Sequence, residues 1–197
     1  MYDSYLLYQH ANDKSLLKFR PESAKEFETS TAQLSDDVVA WLNIKDTSVD
    51  YPVMQGKNNS EYLNKDPYGN YSLSGSVFLD YRNKADFSDK YNLIYGHHME
   101  EGSMFGALDA YLEEGYLETH QSGTLILNDK NIDIQFFAVI EAPADEKAIF
   151  NPSEWNIDYI KDNYLYITNI PKSDHYIALS TCKYPDTIDR TIIIGSF

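Results

Sequence analysis

The stretch Ile177-Ala178-Leu179-Ser180-Thr181-Cys182-Lys183-Tyr184-Pro185-Asp186-Thr187-Ile188-Asp189-Arg190-Thr191-Ile192-Ile193-Ile194-Gly195 decides how the rest of the chain is read. Two runs rich in apolar and β-branched residues flank a polar loop, which predicts strands over Tyr176 to Thr181 and Arg190 to Ile194. The loop follows Cys182, the only cysteine in the chain, and leads to Arg190 eight positions on. Alternation along a strand puts Tyr176, Ala178, Ser180 and Cys182 on one face. A hairpin of this kind sets Cys182 and Arg190 at the same end of a sheet.

Upstream, Tyr91-Asn92-Leu93-Ile94-Tyr95-Gly96-His97-His98 reads as an apolar strand ending at a glycine and two histidines. A deprotonated cysteine is the strongest nucleophile among the common side chains, and a neighbouring cation favours the thiolate. A guanidinium can donate hydrogen bonds to a developing oxyanion, and an imidazole at a strand end is a natural general acid or base. His97, Cys182 and Arg190 are therefore expected to form one active site. Taken singly, each has a plainer reading: a small buried hydrophobe for Cys182, a solvated or core imidazole for His97, a surface charge for Arg190. Only the combination is informative. His98 points away from its neighbour, and with no second cysteine and no His-Glu spacing the pattern predicts no metal site and no cofactor.

Outward from these runs, the chain divides at about residue 38. Residues 3–20 and 22–37 suggest two helices packed outside the main domain, so residues 1–37 are expected to be a helical extension and 38–197 the main, strand-rich domain. Strands are expected over Val38 to Ile44, Ser48 to Met54, Ser76 to Asp80, Tyr91 to Tyr95, Gly123 to Leu127 and Ile132 to Ile140. A short helix is expected between Asn58 and Asn64. Met104, Phe105, Leu108, Tyr111 and Leu112 share one face of a predicted helix over Gly102 to Leu112, which reads as core packing. Residues 141–170 form a long connection with one helix opening at Asn151 to Glu154, and Tyr159, Tyr164 and Tyr166 there read as packing or as a groove wall. Many short strands with polar loops favour a mainly β barrel or sandwich over alternating βαβ units.

The 197 residues suit one domain with a substantial core, and 43% hydrophobic content excludes general disorder. A net charge of −15 without a basic stripe argues against nucleic-acid binding. No run approaches the ~20 apolar residues of a membrane span. No charged start followed by an apolar run is present at the N-terminus, so no signal peptide is expected within it.

Several ordered segments together resemble the class B sortases, cysteine transpeptidases of Gram-positive cell surfaces. They are Asp37-Val38-Val39-Ala40-Trp41-Leu42-Asn43-Ile44, Val49-Asp50-Tyr51-Pro52-Val53-Met54-Gln55-Gly56, Gly75-Ser76-Val77-Phe78-Leu79-Asp80, Tyr95-Gly96-His97-His98-Met99 with Met104-Phe105, and Leu179-Ser180-Thr181-Cys182 with Arg190. The resemblance covers about residues 38–197. It implies a mainly β, eight-stranded sortase-type barrel with N-terminal helices and a helix in the connection before the cysteine strand. It also implies Cys182 as nucleophile, His97 as acid/base and Arg190 as oxyanion or positioning residue, with Ser180 and Thr181 beside the substrate.

The implied partners are surface proteins or pilins bearing a C-terminal sorting motif, and an amine acceptor from a peptidoglycan precursor or a pilin lysine. The implied location is the extracellular face of the plasma membrane of a Gram-positive bacterium, through an N-terminal anchor that these residues do not contain. The loop from Cys182 to Arg190 and the 141–170 connection are shorter than in many class B members, which bears on substrate choice. The rival from another class is a non-catalytic barrel binding a peptide or wall polymer. Other cysteine enzymes fit less well. An L,D-transpeptidase would carry a Ser-His-Gly-Cys cluster, and a papain-like protease would place its cysteine before its histidine.

Overall fold

In the computed structural model, residues 14–99, 102–182 and 189–197 are described. The first part of the expected N-terminal extension, Glu100, Glu101 and the loop 183–188 lie outside them. Nine strands follow in order: β1 (Val38–Ile44), β2 (Asp50–Met54), β3 (Val77–Leu79), β4 (Tyr91–Gly96), β5 (Ser122–Ile126), β6 (Asn131–Pro143), β7 (Tyr164–Ile167), β8 (Tyr176–Cys182) and β9 (Asp189–Ser196). The pairing runs β5-β1-β2-β3-β4-β8-β9-β6, and β5 also pairs with β6, which closes an eight-stranded barrel. Closure satisfies the backbone hydrogen bonds that an open sheet would leave at its edges. The β2–β3 and β4–β8 pairs are parallel; the others in the ring are antiparallel.

The inside of the barrel is packed with alternate residues, such as Ile94 from β4, Ile177 and Leu179 from β8, and Ile193 from β9. A second apolar layer lies on the outside of β4, β8, β9 and the distal half of β6. There Leu93, Ala178, Ile192 and Ile194 meet Ile149, Trp155 and Ile160 from the connection that follows β6. The burial of β6 records the change from one covered face to two. Residues 131–135 alternate exposed and buried, whereas 136–140 are buried without interruption. A register shift between Phe136 and Ala138 accompanies the change. Phe136 lies in the inner cluster and Phe137 and Ala138 both lie in the outer one.

The connection after β6 departs from the single expected helix. It contains two short helices, Lys147–Phe150 and Ile157–Asn163, and then β7, which pairs with β6 outside the ring. Asn156 caps the second helix by accepting from the Asp158 N–H at 2.9 Å. The unexpected β7 is only four residues long, with Tyr164 and Leu165 exposed, so it carries no alternation by which to recognise it.

The expected helix over Gly102 to Leu112 is a 3-10 run, Phe105–Leu112. Its buried Phe105, Leu108 and Tyr111 recur every third residue, the period of a 3-10 helix. The helix expected between Asn58 and Asn64 reduces to a 3-10 turn, Glu61–Leu63. In the described N-terminal part, the 3-10 turns Lys14–Phe19 and Ala24–Glu26 and the helix Phe27–Thr31 replace long helices. Phe19, Phe27 and Leu34 pack on Trp41 and Ile126 of the barrel wall.

Gly96 ends β4 where the ring of Phe105 lies against the strand. A Cβ built there would meet Phe105 ring atoms at 2.6 to 3.0 Å. The close approach is fixed from the other side as well, since the Phe105 N–H donates to the His97 carbonyl at 3.0 Å. Gly96→Ala is expected to destabilise the protein by about 1–3 kcal/mol through overpacking. Thermal or denaturant unfolding checks this, with Gly69→Ala, at a turn where a Cβ finds only one atom at 3.7 Å, as the comparison that reports backbone strain without a clash.

Candidate active site

The site follows from strand register. In the parallel β4–β8 pair, Tyr95 is opposite Ser180 and Gly96 is opposite Thr181. One further step along the same register brings His97 abreast of Cys182. In the antiparallel β8–β9 pair, Cys182 is opposite Arg190. Three adjacent strands thus place His97, Cys182 and Arg190 side by side at one end of the barrel. At roughly 4.8 Å per strand the row spans about 10 Å.

The face is set by alternation. Tyr91, Leu93 and Tyr95 on β4, and Tyr176 and Ala178 on β8, contribute to the outer apolar layer. His97, Ser180, Cys182 and Arg190 occupy positions of the same parity. Thr181 falls on the other parity and is fully buried. Ser180 is on the expected face but is also fully buried, and its hydroxyl finds no hydrogen-bond partner.

His97 is half-buried. Burial and, second, the charge of Arg190 hold its pKa below the ordinary range of histidine. The neutral imidazole therefore predominates at neutral pH. His98 turns elsewhere, with its Nε2 2.7 Å from Asp109 Oδ2. That pairing ties the residue after His97 to the Phe105–Leu112 run. Among the described residues no cluster of three His, Cys, Asp or Glu could hold a metal ion.

A polar network not singled out from the sequence reaches the face of the row through Tyr95, which shares its parity with His97. Asp80, just after β3, is fully buried, and its carboxylate accepts from Arg82, Asn59 and the Tyr95 hydroxyl. Burial would raise the Asp80 pKa, but hydrogen bonds from the Arg82 side chain and backbone and from Asn59 outweigh it and keep the carboxyl below its usual range. The Tyr95 phenol is pushed far up by burial first and by Asp80 second, so it remains a donor to that carboxylate. The signal available in sequence was a charged pair, Asp80 and Arg82, directly after an apolar strand.

Comparison with known proteins gives the family. A family model described as the sortase domain matches residues 42–197. A Sortase B from Listeria monocytogenes is 37% identical over 158 residues, which is 76% of this chain and 64% of that protein. The chain therefore spans a little under two thirds of that relative's length. Among solved structures, a Streptococcus pyogenes class B sortase involved in pilus biogenesis superposes with a TM-score of 0.77 at 40% identity, covering 85% of this chain and 95% of its own. The fold is also that of a Staphylococcus aureus sortase B–substrate complex, at a TM-score of 0.83 and 24% identity, covering 100% and 98% of the two chains. Sortases are cysteine-dependent transpeptidases that act on sorting-motif substrates and amine acceptors, and their Gram-positive relatives work at the cell surface. With the family model matching all but the first residues of the barrel and class B members among its relatives, this chain belongs to the sortase family, in class B.

Proposed function

We propose that this chain is a transpeptidase that cuts a C-terminal sorting motif and passes the acyl fragment to an amine, with Cys182 as nucleophile. The observation that carries the reading is the row itself: His97, Cys182 and Arg190 abreast on β4, β8 and β9. The barrel, residues 38–197, is taken as the catalytic domain and the preceding residues as an extension docked on it. An anchor preceding these residues would hold the enzyme at the outer face of the plasma membrane. Among the described residues no helix is long and apolar enough to cross a membrane.

In the proposed reaction the Cys182 thiolate attacks the scissile carbonyl of the sorting motif, and the carbonyl oxygen becomes an oxyanion. The Arg190 guanidinium donates hydrogen bonds to that oxyanion, the step at which preorganised charge contributes most. His97 as imidazolium gives its proton to the leaving amine as the C–N bond breaks, leaving a thioester on Cys182. The incoming amine then attacks the thioester, His97 takes its proton, and the thiolate departs. Arg190 would also favour the thiolate electrostatically, while lowering the fraction of His97 that is protonated.

Ser180 and Thr181 are read as lying beside the bound motif, and the buried, unpartnered hydroxyl supports this for Ser180. The likeness to the pilus-biogenesis sortase supports a pilin lysine as acceptor in preference to a wall-precursor amine.

Intact-mass measurement with a panel of sorting-motif peptides should show an acyl adduct that an added amine discharges. Cys182→Ala is expected to remove adduct and transfer together. A Cys182→Ala protein that still transfers would sink the assignment. Competition between a pilin-lysine peptide and a wall-precursor amine, read in the same experiment, should favour the lysine peptide.

Arg190→Gln removes the cation and keeps a planar donor. It is expected to lower kcat/KM by about 10²–10³-fold. With the nearby cation gone, the protonated imidazole is less disfavoured, so the His97 pKa should rise; an NMR titration of the imidazole reads the shift. An unchanged or lower His97 pKa would show that the two side chains are not electrostatically coupled.

A further inference from the structure

The transfer chemistry above makes no use of Arg82, yet this side chain joins the base of the site to its wall. Its backbone N–H and Nε donate to Asp80 Oδ1 at 2.9 and 2.8 Å, and Nη2 donates to Asp80 Oδ2 at 2.6 Å. The carboxylate it grips is fully buried, so this end of the guanidinium is fixed. The other end reaches out of the barrel. Nη2 also donates to the Phe150 carbonyl at 2.7 Å, and Nη1 lies 3.4 Å from Asn151 Oδ1. One planar cation therefore pins the end of the Lys147–Phe150 helix, part of the connection after β6, to the end of β3.

Phe150 is the residue through which this reaches the site. Its ring centroid lies 5.7 Å from the guanidinium carbon of Arg190, within range of a cation–π contact. It also packs against the outer apolar layer that underlies the row. Arg190 is half-buried, and its long side chain has several rotatable bonds to be held. A ring face at a fixed place removes much of that freedom.

We propose that Arg82 is a positioning residue for Arg190, acting through Phe150. The buried Asp80 orients Arg82, Arg82 holds the Phe150 backbone, and the Phe150 ring holds the guanidinium at the end of the barrel where Cys182 lies. The task calls for an arginine because two partners on opposite sides are held by one rigid fork; a lysine ammonium supplies the charge as a single point. The inference rests on the reading of Arg190 as a participant in transfer.

The test is a double-mutant cycle on the acyl-transfer assay, using Arg82→Lys and Phe150→Leu, each alone and with Arg190→Ala. Phe150→Leu keeps the backbone carbonyl and an apolar side chain and removes the ring face. It therefore carries the test if the Arg82 variant fails to fold. Each substitution alone is expected to lower kcat/KM by about tenfold, with most of the loss in kcat, and to cost less than about twofold when Arg190 is already alanine.

An equal fold-loss in both backgrounds would mean that Arg82 and Phe150 act on stability or on the substrate directly, and would overturn the proposal. No loss in either background would do the same. An Arg190→Ala enzyme as active as the parent would remove the reading of the site itself, and the inference with it, which separates that failure from the other two.

Discussion

The parallel pairing of β4 with β8 is the constraint on which the rest depends. It aligns Gly96 with Thr181, positions 85 residues apart in the chain, and because paired residues in parallel strands share a face, His97 and Cys182 are brought to the same side. A slip of one residue would turn one of them into the barrel interior. The register is held by burial on both faces, with Ile94, Ile177 and Leu179 inside and Leu93 and Ala178 outside. The antiparallel β8–β9 pairing then adds Arg190 at no further topological demand, since both strands run through the same two layers.

Burial on both sides also sets the electrostatics. In a barrel with a wet exterior, the ends of β4, β8 and β9 would face water, and charges there would be screened. Here the connection after β6 covers the outer face with Ile149, Trp155 and Ile160. Desolvation therefore acts on His97 and Tyr95 in opposite directions, lowering one pKa and raising the other, because it always disfavours the charged form. Asp80 shows the compensating case. Its charge survives full burial because hydrogen bonds from Arg82, Asn59 and Tyr95 converge on it. The Asp80–Arg82 network and the outer apolar layer are two parts of one arrangement, and both meet at Phe150.

Much of this was legible in the chain. The eight strands of the barrel were recognisable from apolar and β-branched runs bounded by turn residues, and their edges agree to within a few residues. His97, Cys182 and Arg190 could be picked out because each sits where an apolar strand meets a polar segment. Less legible were the elements whose pattern is short or mixed. Phe105–Leu112 carries apolar residues compatible with both three and 3.6 residues per turn, and the three-residue period emerges only in the fold, where Phe105, Leu108 and Tyr111 are all buried. The four residues of β7 have no alternation because Tyr164 and Leu165 are exposed and Tyr166 and Ile167 are only partly buried, against different clusters.

The sequence by itself determined the eight strands of the barrel, which face of each is apolar, and which residues are candidates for acyl-transfer chemistry. These are local properties, set by side-chain type and by the period of two along a strand. Tertiary structure alone decided that Asp80 meets Tyr95, that Arg82 meets Phe150, and that Phe150 reaches Arg190. Each of these depends on register between strands distant in the chain, or on how the connection after β6 lies over the sheet. Register and docking are settled by the joint burial of many side chains, and no local pattern contains that sum.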